Sequence, residues 1–505
     1  MRTRREFLKV AGLGAAAIII PGCSKKNSIT PNIVFIMSDD HAAPAISCYG
    51  SNMNKTPNID RLAAEGMRFE NCFCVNSICT PSRANILTGK HSHKNGVYTL
   101  SNRFDRSQQT FPKLLQQAGY YTGVVGKWHL KTEPAGFNYY NVLPGQGLYF
   151  DPVFREKASP WKDEPRQYKG YVTEVITDLA LDFLKNRPKD KPFCLLYHHK
   201  APHDMWEYDP KHAHLYSDVE IPEPESLFDD YDNRGEAIKR CTQKLTLDRA
   251  IELHGTQGNQ FEGVRERIGH LPPDEQKRKA YQCFIKAYLR CIASIDENVG
   301  RVLDYLDEDG LAKDTIVVYT SDQGFFLGEH GLFDKRFMYE ESLRMPFLVR
   351  YPREVKAGSV NKDIINNVDF AETFLDYAGV PIPAEMQGRS IRPLLRGKTP
   401  KDWPKSTYYR YWMHRAHFDV AAHFGVRTKR YKLIYYYGQG LGVKGAKKTP
   451  TPPEWELFDL KKDPKEMNNV YDDPAYAAIV KQLKGELIRL RRELEDDNDG
   501  IVIEL

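Results

Sequence analysis

Asn32-Ile33-Val34-Phe35-Ile36-Met37 is an unbroken apolar run that stops at Ser38-Asp39-Asp40-His41. It is short for a helix and lacks the period-two alternation of a half-exposed strand. It therefore reads as a strand buried on both faces, as in parallel sheets. Comparable runs recur at Tyr121–Val125, Phe193–Tyr197, Thr315–Tyr319 and Phe347–Tyr351. Helical patterns lie between them, at Asn58–Gly66, Thr110–Gly119, Val172–Asn186 and Tyr281–Leu306. This alternation predicts an α/β fold with a large mixed, mostly parallel sheet sandwiched by helices.

Four of the runs end in polar clusters: Ser38-Asp39-Asp40-His41, Gly126-Lys127-Trp128-His129, Pro202-His203 and Ser321-Asp322-Gln323-Gly324. Any one of these could be a helix cap or a turn. Four at equivalent strand ends point to one site, because the carboxyl ends of parallel strands face a common crevice. Asp39, Asp40, Asp322 and the amide oxygen of Gln323 offer hard oxygen ligands, suited to calcium or magnesium; zinc prefers His and Cys. Carboxylates packed together without a cation would repel one another, which argues for a divalent metal.

The remaining composition sets limits. The chain has 505 residues, 41% hydrophobic and 28% charged, with a net charge of +5 and no basic block of the kind that binds nucleic acid. No apolar run reaches the roughly 20 residues needed to span a bilayer. Nine cysteines without a CxxC pair argue against a zinc ribbon or a disulfide scaffold. Residues 1–22 open with Arg4-Arg5 before a mild apolar stretch and resemble a twin-arginine export signal. Ile20-Pro21-Gly22-Cys23 looks like a lipoprotein cleavage box, although Pro21 is unusual there, so Cys23 could carry a lipid anchor. Residues 202–270 read as a polar surface insertion. After Lys401 come Tyr-rich extended runs at Ser406–Trp412, Gly425–Tyr437 and Trp455–Leu460, then a charged amphipathic helix over Asp473–Glu495. These predict a smaller antiparallel α+β unit over 401–505, with a mobile Gly/Lys/Pro-rich loop at Gly438–Pro453.

Cys79 opens the run Cys79-Thr80-Pro81-Ser82-Arg83-Ala84-Asn85-Ile86-Leu87-Thr88-Gly89. Pro81 fits a first helical position and Gly89 a stop. Cys79 then lies at a helix N-terminus with Arg83 one turn on, a setting that favours an anionic group. A structural thiol would explain Cys79 alone but not Arg83, Thr88 and Gly89. With this run, the chain resembles the type I sulfatases of the alkaline-phosphatase-like superfamily. The Asp39-Asp40 pair, Gly126-Lys127-Trp128-His129, Pro202-His203, Ser321-Asp322 and Lys335 follow in the family's order. Gln323 stands where Asn or His is common, and Lys131 replaces a frequent Gly.

The resemblance implies a catalytic domain over 28–400 and hydrolysis of sulfate esters. It implies that a formylglycine-generating maturation enzyme converts Cys79 to 3-oxoalanine (formylglycine), in a site holding Ca²⁺ or Mg²⁺. The ligands would be Asp39, Asp40, residue 79, Asp322 and Gln323. One hydroxyl of the hydrated aldehyde would attack sulfur. Arg83, Lys127 and Lys335 would stabilise the charge, and His203 would protonate the departing alcohol. His129 would take the proton that lets the aldehyde re-form and sulfate leave; the two histidine roles could be exchanged. The leader implies a translocase and a place in the periplasm or at the cell surface of a bacterium.

A sulfated carbohydrate is the expected substrate. Lys127, His203 and Lys335 would touch it, and His414, His417, His423 and Arg427 form a cationic cluster that could read the sugar or fill a domain interface. Ser321–Ser342 and His423–Gly438 look like bacterial N-acetylglucosamine-6-sulfatases. Two other classes compete. A phosphatase or phosphodiesterase of the superfamily would need a Ser or Thr nucleophile and His-rich zinc sites, which this sequence does not show. A non-catalytic glycan-binding lipoprotein would leave the nucleophile, acid and metal set unexplained.

Overall fold

The computed structural model describes residues 30–252 and 263–505; the proposed leader 1–22 and Cys23 lie outside them. Seven strands build most of the main sheet: β1 (Asn32–Ser38), β2 (Met67–Phe73), β3 (Tyr121–Lys127), β4 (Tyr139–Leu143), β5 (Phe193–His198), β6 (Thr315–Ser321) and β7 (Arg344–Arg350). Their spatial order is β2-β7-β6-β1-β5-β3-β4, and short strands extend both edges to make an 11-stranded sheet. The strands β6, β1, β5, β3 and β4 run parallel, whereas β7 is antiparallel to both β6 and β2.

The two-faced burial expected of β1 is observed. Ile33, Phe35 and Met37 enter one core and Val34 and Ile36 the other. Each such side chain contributes about 1.5–3 kcal/mol on burial. One core takes side chains from α2 (Cys79–Thr88), α3 (Phe111–Gln117) and α6 (Asp369–Ala378); the other takes them from α1 (Pro57–Ala64), α4 (Val172–Asn186) and α5 (Pro273–Glu308). Helix α5 starts before its predicted Tyr281 because its first two turns, PDEQKRKA, are polar and carry no apolar stripe. Sequence reading missed β2 because Arg68, Glu70 and Asn71 interrupt it; only Met67, Phe69, Cys72 and Phe73 are buried. The insertion after β5 contains short helices and 3₁₀ turns among its described residues.

The second sheet is antiparallel, in the order β8 (Ser406–Tyr411), β9 (His423–Thr428), β10 (Tyr431–Tyr436) and β11 (Glu454–Asp459). The single run expected over Gly425–Tyr437 is a hairpin that turns at Lys429-Arg430, where Thr428 Oγ1 accepts from the Tyr431 amide at 2.9 Å. Alternation divides its faces. Tyr408, Phe424 and Leu433 pack under α7 (Ala477–Glu493), while Tyr409, Tyr411, Ile434 and Tyr436 join the core of the main body. The Gly438–Pro453 segment, expected to be mobile, is tied down: Lys447 donates its amide to His414 O (2.8 Å) and Thr99 Oγ1 donates to Lys444 O (2.6 Å). Among the described residues no helix is long and apolar enough to cross a membrane.

Candidate active site

The parallel neighbours β6, β1, β5 and β3 end along one edge of the sheet. There the register pairs Ser38 with Ser321, Met37 with His198 and His198 with Gly126. The residues that follow therefore share one crevice. Oxygens of Asp39, Asp40 and Asp322 lie within 4.8 Å of one another, and ligand atoms of Asp39, Cys79 and His203 do the same. Asp40 turns into this space through a left-handed backbone (φ 67°), a conformation uncommon outside glycine and seen at functional sites. Its amide donates to Asp322 Oδ1 at 3.2 Å, and its carbonyl accepts from Tyr288 Oη at 2.7 Å.

Helix α2 begins at Cys79, two residues before the start that Pro81 suggested, and all of its residues are buried. Gly89 ends it at φ 63°. Arg83 crosses the crevice, with Nε 3.0 Å from Asp322 Oδ2 and Nη1 2.7 Å from the Lys127 carbonyl. Lys127 Nζ bonds Asp39 and Gln146, and Lys335 Nζ bonds both Asp40 oxygens at 2.6 and 2.7 Å. His203 Nε2 lies 3.8 Å from Asp40 Oδ2. His129, itself left-handed (φ 54°), accepts Thr80 Oγ1 on its carbonyl at 3.0 Å.

Burial dominates the electrostatics. It pushes the Cys79 thiol up to about 12 and Asp40 up to about 7, the latter against the pull of Lys335. It holds His129 well below the usual imidazole range, aided by Lys127 and Arg83, and Lys127 below the usual ammonium range. Burial also raises Asp322, but Arg83, Lys127 and Lys335 outweigh it and keep that carboxylate below its ordinary value. Asp39 Oδ1 and Gln323 Oε1 are buried without a hydrogen-bond partner. An acceptor left so costs roughly 1–3 kcal/mol. Two such oxygens beside three carboxylates fit a hard divalent cation.

The C-terminal cluster needs correction. His423 is fully buried, its ring between Tyr409, Tyr411, Tyr436 and Phe337, and its Nδ1 is 2.8 Å from the Ala421 carbonyl. Arg427 pairs with Glu340 (3.0 Å) and lies over the Phe73 ring. His414 bonds the Thr449 carbonyl and the Ala422 amide. His423 and Arg427 fill the seam between the second sheet and the main body, because alternation in β9 turns them inward, whereas His414 sits in the turn after β8 and is tied to the segment around Thr449. His417 alone is exposed, and it feels the charges of Arg336, Asp334 and Lys335. Sequence reading missed Gln146, Lys200, Asp204, Asp334 and Arg336. Asp204 and Arg336 are next to residues already singled out, whereas Gln146 arrives by a turn after β4 that carries no local signal.

Comparison with known proteins agrees with this geometry. Residues 31–380 match the Sulfatase family, and residues 328–493 match the family described as N-sulphoglucosamine sulphohydrolase, C-terminal. The chain is 44% identical to an N-acetylglucosamine-6-O-sulfatase of Bacteroides thetaiotaomicron, over 96% of this chain and 91% of that one. It is 27% identical to an arylsulfatase of Clostridium perfringens, over 93% and 95%. A solved structure of a protein in complex with its substrate, D-glucosamine-2-N,6-O-disulfate, superposes with a TM-score of 0.87 at 43% identity, covering 94% of this chain and all of that one. The chain belongs to the sulfatase family and is a sulfuric ester hydrolase.

Proposed function

We propose that this sulfatase removes sulfate from carbohydrates, and that its substrates are 6-O-sulfated N-acetylglucosamine or glucosamine units. The relative named for that activity, 44% identical over nearly the whole chain, supports this reading. The observation that carries the chemistry is the meeting of Asp39, Asp40 and Asp322 with Cys79 and three buried cations in one crevice. Asp39, Asp40, Asp322 and Gln323 would hold the calcium or magnesium. The cation supplies charge neutralisation when bound, and the formylglycine made from Cys79 supplies an oxygen nucleophile.

The chain's own side chains do the rest. Arg83, Lys127 and Lys335 hold sulfate oxygens and take up the negative charge that grows as the S–O bond breaks. His203 gives its proton at Nε2 to the sugar oxygen. Burial lowers His203 to about 4, with Asp204 opposing that shift and Lys127 and Lys335 adding to it; an anionic sulfate beside the ring raises it again. His129, neutral and with Nδ1 unpartnered, receives a proton as sulfate is released. Asp334 and Arg336 flank Lys335, and the exposed His417 feels their charges; on this reading the sugar binds on that side.

A panel of monosaccharides sulfated at defined positions, scored for released sulfate, tests the substrate. Release is expected from the 6-O-sulfated glucosamines; release confined to other positions would overturn the assignment. Peptide mass spectrometry over Ser77–Arg83 tests the conversion of Cys79. Export, with residues 1–22 as leader and Cys23 as anchor, belongs to the same proposal and is checked by fractionating the native host.

A further inference from the structure

The segment after β5 carries an acid that this scheme leaves unused. Asp204 Oδ1 lies 2.5 Å from His203 Nδ1, and the Asp204 carbonyl is 2.8 Å from the same nitrogen. Two acceptors on one ring nitrogen mean that Nδ1 keeps a proton. Nε2 is then the nitrogen turned to the crevice, on the side of Asp40. The backbone around the ring is fixed separately. Tyr149 Oη donates to the His203 carbonyl at 2.5 Å, the His203 amide donates to Lys200 O at 3.1 Å, and Lys200 Nζ donates to the Asp204 carbonyl at 3.1 Å. Lys200 Nζ also stands 4.3 Å from the centre of the Tyr149 ring. None of these contacts uses the Asp204 carboxylate. Its geometry serves the imidazole, not the loop.

We propose that Asp204 is a positioning residue: its carboxylate holds the His203 imidazole in the tautomer and orientation that present Nε2 to the sugar oxygen. The proposal rests on the reading of His203 as the acid. In that step sulfur would bond to the oxygen nucleophile at residue 79 as its bond to the sugar oxygen breaks, the electron pair of the broken bond staying on the sugar oxygen. The Nε2 proton passes to that oxygen, and the carboxylate balances the ring while it is protonated. An alkoxide is a poor leaving group and needs the proton, whereas a nitrophenolate does not.

Two measurements on the mature enzyme test this. In proton NMR, the Nδ1–H of a histidine bonded to a carboxylate resonates far downfield of the amides. Such a signal should be present, vanish in His203→Asn and move upfield in Asp204→Ala. In kinetics, Asp204→Ala should lower kcat on the sugar sulfate by about 10–10²-fold, with little change in KM. It should lower the rate on 4-nitrophenyl sulfate far less, and Asp204→Glu should recover part of the loss. If the aryl ester is not turned over, the resonance and the kcat-against-KM split decide. No downfield signal, a signal unmoved in Asp204→Ala, or equal losses on both esters would overturn the proposal. His203→Ala separates the two levels. Absence of a leaving-group split there removes the acid role and this proposal with it, whereas a split there but not in Asp204→Ala removes only the role of Asp204.

Discussion

Arg83 grips Asp322 through a single carboxylate oxygen, with Nε and Nη2 each 3.0 Å from Oδ2. Its remaining Nη1 reaches the Lys127 carbonyl, so one guanidinium joins the start of α2 to the ends of β6 and β3. The residue one turn after Cys79 thus fixes the distance between the nucleophile's helix and the carboxylate cluster. Its partner's burial makes the tie strong, since Asp322 is fully enclosed.

Arg83→Lys should therefore be inactive although the charge is kept. A lysine offers a point charge and cannot span Asp322 and the Lys127 carbonyl together. Sulfate release is expected to fall by about 10²-fold or more, the usual effect of losing one placed donor. Initial rates on the preferred sugar sulfate check this; a loss under tenfold would show that the fork geometry is dispensable.

Removing the metal should have two separable effects. Prolonged chelation followed by dialysis should abolish turnover, and added calcium or magnesium should restore it. The ion binds only the folded chain, so it should also raise the thermal midpoint, by an amount equivalent to about 2.7 kcal/mol at a hundredfold excess over Kd. Asp322→Ala should lose both responses. Calcium-independent melting of the wild type would mean that these oxygens do not hold the ion.

Much of this site was legible from the sequence because its residues follow directly on apolar runs. NIVFIM announces a strand, and a strand's end places Asp39 and Asp40 without further information. The same logic located Asp322, Lys127 and His203. It failed for His423 and Arg427 because polar residue type says nothing about which face of a strand it occupies, and alternation in β9 turns both toward the main body; it failed for His414 because the turn after β8 folds that ring onto Thr449 and Ala422. Gln146 was invisible for another reason: it meets Lys127 by a tertiary contact between β3 and the turn after β4. The β2 strand was hidden by its charged, half-buried face, whose pattern resembles that of a loop.

The corrected C-terminal cluster yields opposite expectations for neighbouring positions. Arg427→Leu takes one of the two cations from Glu340 and leaves it only Lys432, which is shared with Glu466, in a largely buried network. Breaking a buried pair outright costs about 3–5 kcal/mol; with Lys432 still in place the loss is smaller, so the thermal midpoint should drop while kcat and KM of the surviving folded enzyme hold. His417→Ala should do the reverse, raising KM for the sugar sulfate with an unchanged melt. Thermal scans beside steady-state kinetics separate the two, and a KM effect of Arg427→Leu at unchanged stability would return that residue to the substrate.

Gly126 shows how a backbone requirement reaches the chemistry. It precedes Lys127 at the end of β3 with φ 95°, a region that side chains other than glycine rarely adopt. A Cβ built there would stand 1.8 Å from the His198 carbonyl on the neighbouring β5, and a backbone atom of a central strand has nowhere to move. Gly126→Ala must therefore push β3 away from β5 or twist the peptide that carries Lys127. Either response shifts the ammonium from Asp39 and moves the carbonyl that Arg83 grips. Stability should fall by several kcal/mol, as for other strained or overpacked core positions, and whatever folds should release sulfate at least about 10²-fold more slowly. Gly119→Ala provides the control: it too has a positive φ, 95°, but a Cβ there meets nothing within 4 Å. It should cost only the backbone strain, with activity retained, and equal damage from the two substitutions would show that strain rather than the close approach of β5 sets the requirement at Gly126.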